Sequence, residues 1–341
     1  MENKTIYADH GDEYKGELLA NFSSNVWFGA NHDGLYAYLT DRMPLIRRYP
    51  EEYNLALKCE LAAHLHLLAD QLLLTNGSAE GIYLLAQAYR GRKSLIVGPT
   101  FSEYGKACQV NDHQVFYTDA QLLENNLIQH TPDLVWICTP NNPDGFSFEL
   151  PLLEKLVQQF SNTIFIFDTS FKEYCLEKQP ESDFISQHGN VILLYSFTKR
   201  YGIPGLRMGY IYSSKSIIRN IHSYCVPWSV NTFAVEAFRY LITNHRDDFN
   251  ISEWLEEKRK FAESINYIDG FQSLDSSTPF FLVKITKGKS ADLKQFLLQK
   301  SILIRDASGF FQDGNQYIRL LTLSPEKNRL LLNELQQWKS Q

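Results

Sequence analysis

Between Leu72 and Tyr212 the chain alternates short, wholly apolar runs with helix-like stretches. The runs fall at 72–74, 95–97, 115–117, 134–137, 164–167, 191–194 and 208–212. Apolar residues at every position, rather than every second one, predict strands covered on both faces. The helical segments between them predict a mostly parallel sheet in an α/β domain. Upstream, Leu55, Leu57, Leu61, Leu65 and Leu68 recur at helical spacing and predict an amphipathic helix over residues 51–69. Near Phe238 the rhythm changes. A helical pattern over 251–265 carries Glu253, Glu256, Glu257, Lys258, Arg259 and Lys260, a mixture that suits a solvated face. Strands are predicted at 280–285, 302–305 and 317–323, with a helix over 294–300 and a terminal helix opened by Pro325. These elements form a second, smaller α+β domain.

Composition narrows the class. At roughly 150 residues per domain, 341 residues predict two domains, and 44% apolar with 13% aromatic residues suits a large core. Thirty-three basic residues against 39 acidic ones give a net charge of −6 without a basic stripe, which argues against a nucleic-acid partner. No apolar run approaches the roughly 18 residues that span a bilayer. The start, Met1-Glu2-Asn3-Lys4, is unlike a secretory signal, so the expectation is a cytoplasmic protein with no membrane partner. The five cysteines (Cys59, Cys108, Cys138, Cys175 and Cys225) are odd in number and scattered. They read as reduced thiols, and their spacing suits no metal.

The richest stretch runs from Ser196 through Lys199 to Arg207-Met208-Gly209-Tyr210. It follows one predicted strand and precedes another, which places Lys199 on a loop at a strand's C-terminal end, where open α/β sheets bind ligands. Lysine forms Schiff bases with aldehyde cofactors such as pyridoxal phosphate, and Ser196 and Arg207 suit a phosphate. A loop lysine and a surface arginine are the plainer alternative. Asp168 ends the run Ile164-Phe165-Ile166-Phe167, so its carboxylate is expected to be buried and to need a cationic partner. A pyridinium nitrogen supplies one; capping a turn at a strand end is the alternative. Asn76-Gly77-Ser78-Ala79-Glu80 opens a helix whose free amides suit an anion, although Ser78 could equally be a plain N-cap. In Thr139-Pro140-Asn141-Asn142-Pro143 the prolines fix Asn142 in a turn, where its amide could donate to a ring oxygen; turn chemistry alone also explains it.

The order and spacing of these pieces resemble the fold-type I pyridoxal-phosphate enzymes, the aspartate aminotransferase superfamily, over essentially the whole chain. Further segments carry the resemblance: His10-Gly11, Asn21-Phe22-Ser23-Ser24-Asn25, Arg48-Tyr49-Pro50, Pro99-Thr100-Phe101-Ser102-Glu103-Tyr104, Pro227-Trp228-Ser229-Val230-Asn231, Ile302-Leu303-Ile304-Arg305 and Tyr317-Ile318-Arg319. Within the superfamily the chain is most similar to the threonine-phosphate decarboxylases of cobalamin biosynthesis, beside the histidinol-phosphate aminotransferases.

The resemblance implies a three-layer α/β/α transferase-like large domain over residues 41–240 and a small domain over 241–341. Residues 1–40 would form an arm that joins the small domain and the active-site lid. It implies pyridoxal 5'-phosphate as cofactor and a homodimer with active sites at the subunit interface. Lys199 would hold the cofactor and move protons at the substrate α-carbon. Asp168 would pair with the ring nitrogen, Asn142 would donate to the ring oxygen, and Tyr104 would stack on the ring. Ser78, Ala79, Ser196 and Arg207 would bind the phosphate, helped by Tyr49 from a second subunit. Arg319 would take the substrate α-carboxylate, while Arg305, His10, Gly11, Asn25 and Asn142 would line the substrate end. The implied reaction is decarboxylation of L-threonine O-3-phosphate to (R)-1-amino-2-propanol phosphate, with an aminotransferase of the histidinol-phosphate type as the alternative. Departures from the usual pattern include Thr169-Ser170-Phe171 after Asp168, Asp144 after Pro143, and Asp12 after Gly11. Phe171 lacks the hydroxyl donor of a tyrosine, which favours the decarboxylase branch.

Overall fold

The computed structural model describes residues 14, 16–244 and 249–338. A short first strand, β1 (Ala20–Asn21), precedes seven strands that share one sheet. These are β2 (Leu72–Thr75), β3 (Lys93–Val97), β4 (Gln114–Thr118), β5 (Leu134–Cys138), β6 (Ile164–Asp168), β7 (Val191–Ser196) and β8 (Gly209–Ser213). Their order is β2-β8-β7-β6-β5-β3-β4. Neighbours are parallel throughout except at β8, which runs against both β2 and β7.

Successive residues of a strand point to opposite faces, and here each face has its own core. Val135 and Ile137 of β5 join Val191, Leu193 and Tyr195 of β7 on one side. Leu134, Trp136 and Cys138 join Ile192 and Leu194 on the other. Helices cover both faces, giving the α/β/α layering. This is why the strand sequences read as unbroken apolar runs.

The second unit is built on β9 (Phe271–Ser273), β10 (Phe280–Ile285), β11 (Ile302–Leu303), β12 (Arg305–Asp306) and β13 (Gln316–Leu321). Four of these form an antiparallel sheet in the order β12-β13-β10-β9. The fifth, β11, pairs in parallel with β1, setting Ala20 opposite Ile302 and Asn21 opposite Leu303. The N-terminal segment is thereby stitched to the C-terminal unit. Phe171 and Tyr174, from the turn after β6, pack into the same core as Phe22, Trp254, Phe261 and Phe280. The turn that follows Asp168 is therefore held by both units.

Two expectations need correction. The single helix over 51–69 is a 3-10 turn at Glu52–Asn54, an α-helix at Leu55–His64 and a second 3-10 turn at Ala69–Gln71. Tyr53, Asn54 and His66 have φ of 56°, 48° and 55°, and such left-handed residues interrupt a helix that apolar spacing alone would continue. The single strand over 302–305 is two strands in different sheets, because the chain changes partner at Ile304. The helices Ile251–Asn266 and Pro325–Gln337 agree closely with the sequence reading. Their ends are set by side chains: Asn250 accepts from the Glu253 amide at 3.2 Å, and Ser324 from the Lys327 amide at 3.4 Å. Among the described residues no helix is long and apolar enough to cross a membrane.

Candidate active site

The C-terminal ends of the parallel strands converge on a cavity of about 170 Å³. Cys138 ends β5, Asp168 ends β6 and Ser196 ends β7, and all three line it. Lys199 enters from the one-turn helix Phe197–Arg200, directly after β7. Arg319 of β13 closes the opposite side, so the cavity lies where the two units meet.

Asp168 is 5% exposed and accepts two hydrogen bonds, from the Tyr104 hydroxyl at 2.7 Å and from the Ser170 amide at 3.0 Å. Burial pushes its carboxyl pKa up, against the lowering effect of Ser170, Tyr104 and the Lys199 charge. Such a carboxylate favours a cation placed beside it. The Lys199 ammonium lies 5.8 Å from the centre of the Phe171 ring, which forms an apolar wall. The amine and the acid thus face one cavity, Asp168 from the end of β6 and Lys199 from a one-turn helix where the sequence predicts a loop.

The anion end is built from backbone geometry. Ser78 and Ala79 begin the helix Gly77–Ala88 and line the cavity, and their position in its first turn leaves their amides without helical partners. Gly77, with φ of 74°, is needed for space: a Cβ there would sit 2.5 Å from an Arg207 guanidinium nitrogen. Arg207 donates to the Pro204 carbonyl at 3.2 Å and to the Thr198 hydroxyl at 3.5 Å. Ser78, Ala79, Ser196, Thr198 and Arg207 therefore form one cup.

Arg319 is 6% exposed and donates to the Asn142 side-chain oxygen and, at 2.5 Å, to the Ser23 carbonyl. Both partners are neutral. Burial and the neighbouring Arg305 charge press its pKa down. Arg305 is its register partner across β12 and β13, and is also buried. Two cations packed side by side create a strong attraction for anions.

Four polar groups support a bound molecule. Both side-chain atoms of Asn25, the Ser170 hydroxyl and the Arg319 Nε are buried without a hydrogen-bond partner among the described residues. Their residues all line the cavity. Unsatisfied buried groups are costly and are rare unless something fills the site. An amine, a buried acid, an anion cup and orphaned donors in one space fit a phosphorylated pyridine aldehyde with a substrate beside it.

Not every expected residue is placed as expected. Tyr104 is fully buried, stacked on Trp136 at 5.7 Å with its hydroxyl on Asp168. Tyr104 lines the cavity as expected, and its hydroxyl also fixes the Asp168 carboxylate. Phe101, edge-on to Tyr104 at 5.8 Å, offers the aromatic surface at the cavity. Asn142 lies in the cavity wall as an acceptor for Arg319. Arg305 is the register neighbour of Arg319 and is not among the residues that line the cavity. Tyr49 is 82% exposed, lies against Trp228 and does not reach this cavity. His10 and Gly11 fall outside the described residues. Phe101, Ser170 and Thr198 were overlooked, although each sits within three residues of a residue the sequence singled out.

The family described as aminotransferase class I and II matches residues 20–335. The crystal structure of L-threonine-O-3-phosphate decarboxylase from Porphyromonas gingivalis superposes with a TM-score of 0.90 at 33% identity, covering 94% of this chain and 99% of that one. The threonine-phosphate decarboxylase of Salmonella typhimurium is 28% identical over 331 residues, 94% of this chain and 91% of the relative. Histidinol-phosphate aminotransferase from Sinorhizobium meliloti, solved in complex with pyridoxal-5'-phosphate, shares the fold at 18% identity with a TM-score of 0.81, covering 94% and 91% of the two chains.

Proposed function

The chain belongs to the aminotransferase class I and II family, and on that footing we propose that it is a pyridoxal-phosphate-dependent lyase of cobalamin biosynthesis. It converts L-threonine O-3-phosphate to (R)-1-amino-2-propanol phosphate and carbon dioxide. The observation that carries this reading is Arg319, buried in the cavity wall on neutral partners, with the buried Arg305 as its register neighbour. Two cations suit a substrate that bears both a carboxylate and a phosphate.

When bound, pyridoxal 5'-phosphate supplies an electron sink for the bond that breaks at the substrate α-carbon. The protein residues do the rest. Lys199 holds the aldehyde and delivers a proton to the α-carbon after carbon dioxide leaves. Asp168 keeps the ring nitrogen protonated, and Tyr104 fixes the carboxylate that does so. Ser78, Ala79, Ser196, Thr198 and Arg207 hold the phosphate. Asn142 and Arg319 orient the substrate α-carboxylate, and Arg305 with His10 takes the substrate phosphate. Asn25 and Gly11 complete that end.

Residues 1–40 serve as arm and lid, residues 41–240 as the large domain and 241–341 as the small one. Exposed Tyr49 reaches the cofactor phosphate of a second copy, so the working unit is a cytoplasmic homodimer.

Purified protein given pyridoxal phosphate and L-threonine O-3-phosphate is expected to release carbon dioxide and the amino alcohol phosphate in equal amounts. Amine transfer to 2-oxoglutarate without carbon dioxide would assign it to the histidinol-phosphate aminotransferase type instead. Arg305→Ala is expected to raise KM for the phosphorylated substrate about 10- to 100-fold, the worth of a charge-assisted hydrogen bond. Cofactor affinity should stay unchanged; an equal loss of cofactor would show that Arg305 serves the other end of the site.

A further inference from the structure

The segment Pro227-Trp228-Ser229-Val230-Asn231 has no part in the roles above, yet it bonds to residues next to both sides of the anion cup, Glu80 in the helix of Ser78 and Leu206 before Arg207. On one side the Ser229 hydroxyl donates to a Glu80 carboxylate oxygen at 3.2 Å. The same oxygen accepts the Asn76 amide at 2.6 Å. Asn76 is the N-cap of the helix whose first turn carries Ser78 and Ala79. On the other side the Asn231 amide donates to the Leu206 carbonyl at 3.0 Å. Leu206 precedes Arg207, which has a φ of 59°, a conformation that a non-glycine residue keeps only when its surroundings hold it. Between the two contacts Val230 is buried in the core under the sheet, so the segment has a fixed anchor.

We propose that Ser229 and Asn231 are positioning residues for the cofactor phosphate, bracing the helix start and the Arg207 turn at a set separation. The brace rests on the cofactor reading given above and concerns the phosphate end alone.

Two compounds separate this role from general stabilisation: pyridoxal phosphate, and pyridoxal, which lacks the phosphate. Ser229→Ala removes one donor. Asn231→Ser removes the amide donor but keeps a capping oxygen for the Ala234 amide, which Asn231 now accepts at 2.9 Å. Binding of both compounds to the full chain, followed by equilibrium dialysis, is the readout.

Each replacement is expected to weaken pyridoxal phosphate binding about three- to tenfold, the range for one net hydrogen bond. Pyridoxal binding should change less than about twofold, since that small effect is under half a kcal/mol. Ser229→Thr should restore the wild-type affinity. Equal losses for both compounds, or no loss of pyridoxal phosphate in the double variant, would overturn the brace. Wild-type protein that bound neither compound would overturn the cofactor reading itself, an outcome distinct from failure of the brace.

Discussion

Lys199→Ala is expected to lower turnover by at least about 10⁴-fold and to replace the absorption band of the lysine-linked cofactor with that of the free aldehyde, with the fold intact. The scaffold should survive because its hydrogen bonds to the Lys199 backbone remain. The Lys199 carbonyl accepts the Trp27 amide at 2.9 Å and the Tyr174 hydroxyl at 2.8 Å. Both contacts persist in the variant, so circular dichroism and melting behaviour should match the parent protein. The phosphate cup is also untouched, and pyridoxal phosphate should still bind, without covalent attachment. Lys199→Arg makes the test sharper. It keeps a cation beside Phe171 and within the field of Asp168 but cannot form the imine or give up a proton. Substantial activity in that variant would mean that Lys199 acts only as a charge, and the assignment of Lys199 as the catalytic amine would fail.

The parts of this site that were legible in the sequence are those with a local signature. Asp168 could be placed because four apolar residues precede it, and a carboxylate ending such a run must be buried. Lys199 could be placed because a strand leads directly into it. The parts that were not legible depend on partners far along the chain. Tyr104 reads as an aromatic residue suited to stacking, but its hydroxyl also meets Asp168 from 64 positions away. Arg305 and Arg319 each sit in an apolar strand, and nothing in spacing reveals that they become register partners. The same limit explains 302–305. Its apolar run is continuous, yet β11 answers to β1 near the N-terminus while β12 answers to β13. Periodicity reports which face a residue presents, not which partner meets it.

Asp168→Asn is expected to separate function from stability, lowering turnover about 10²- to 10³-fold while making the cofactor-free protein more stable. The stability sign follows from the pKa direction. Burial raises the Asp168 carboxyl pKa in the folded chain above its unfolded value. Over the interval between the two values the folded state holds a proton that the unfolded state has released, so stability falls as pH rises through it. Above the folded pKa the full cost of the buried charge remains. Asparagine carries no charge and removes that cost, while its amide can meet both existing partners. Its oxygen can accept the Ser170 amide, and the Tyr104 hydroxyl can turn to accept from its nitrogen. Thermal melts of the cofactor-free protein from acid to neutral pH should therefore show the variant level with the parent below the unfolded pKa of Asp168, and above it by a few degrees at neutrality. With pyridoxal phosphate bound the order should reverse, because the ring nitrogen then lacks the anion that holds its proton. A variant less stable than its parent without cofactor would show that the carboxylate already has a sufficient counter-charge in the empty site, and Lys199 would be the group to supply it.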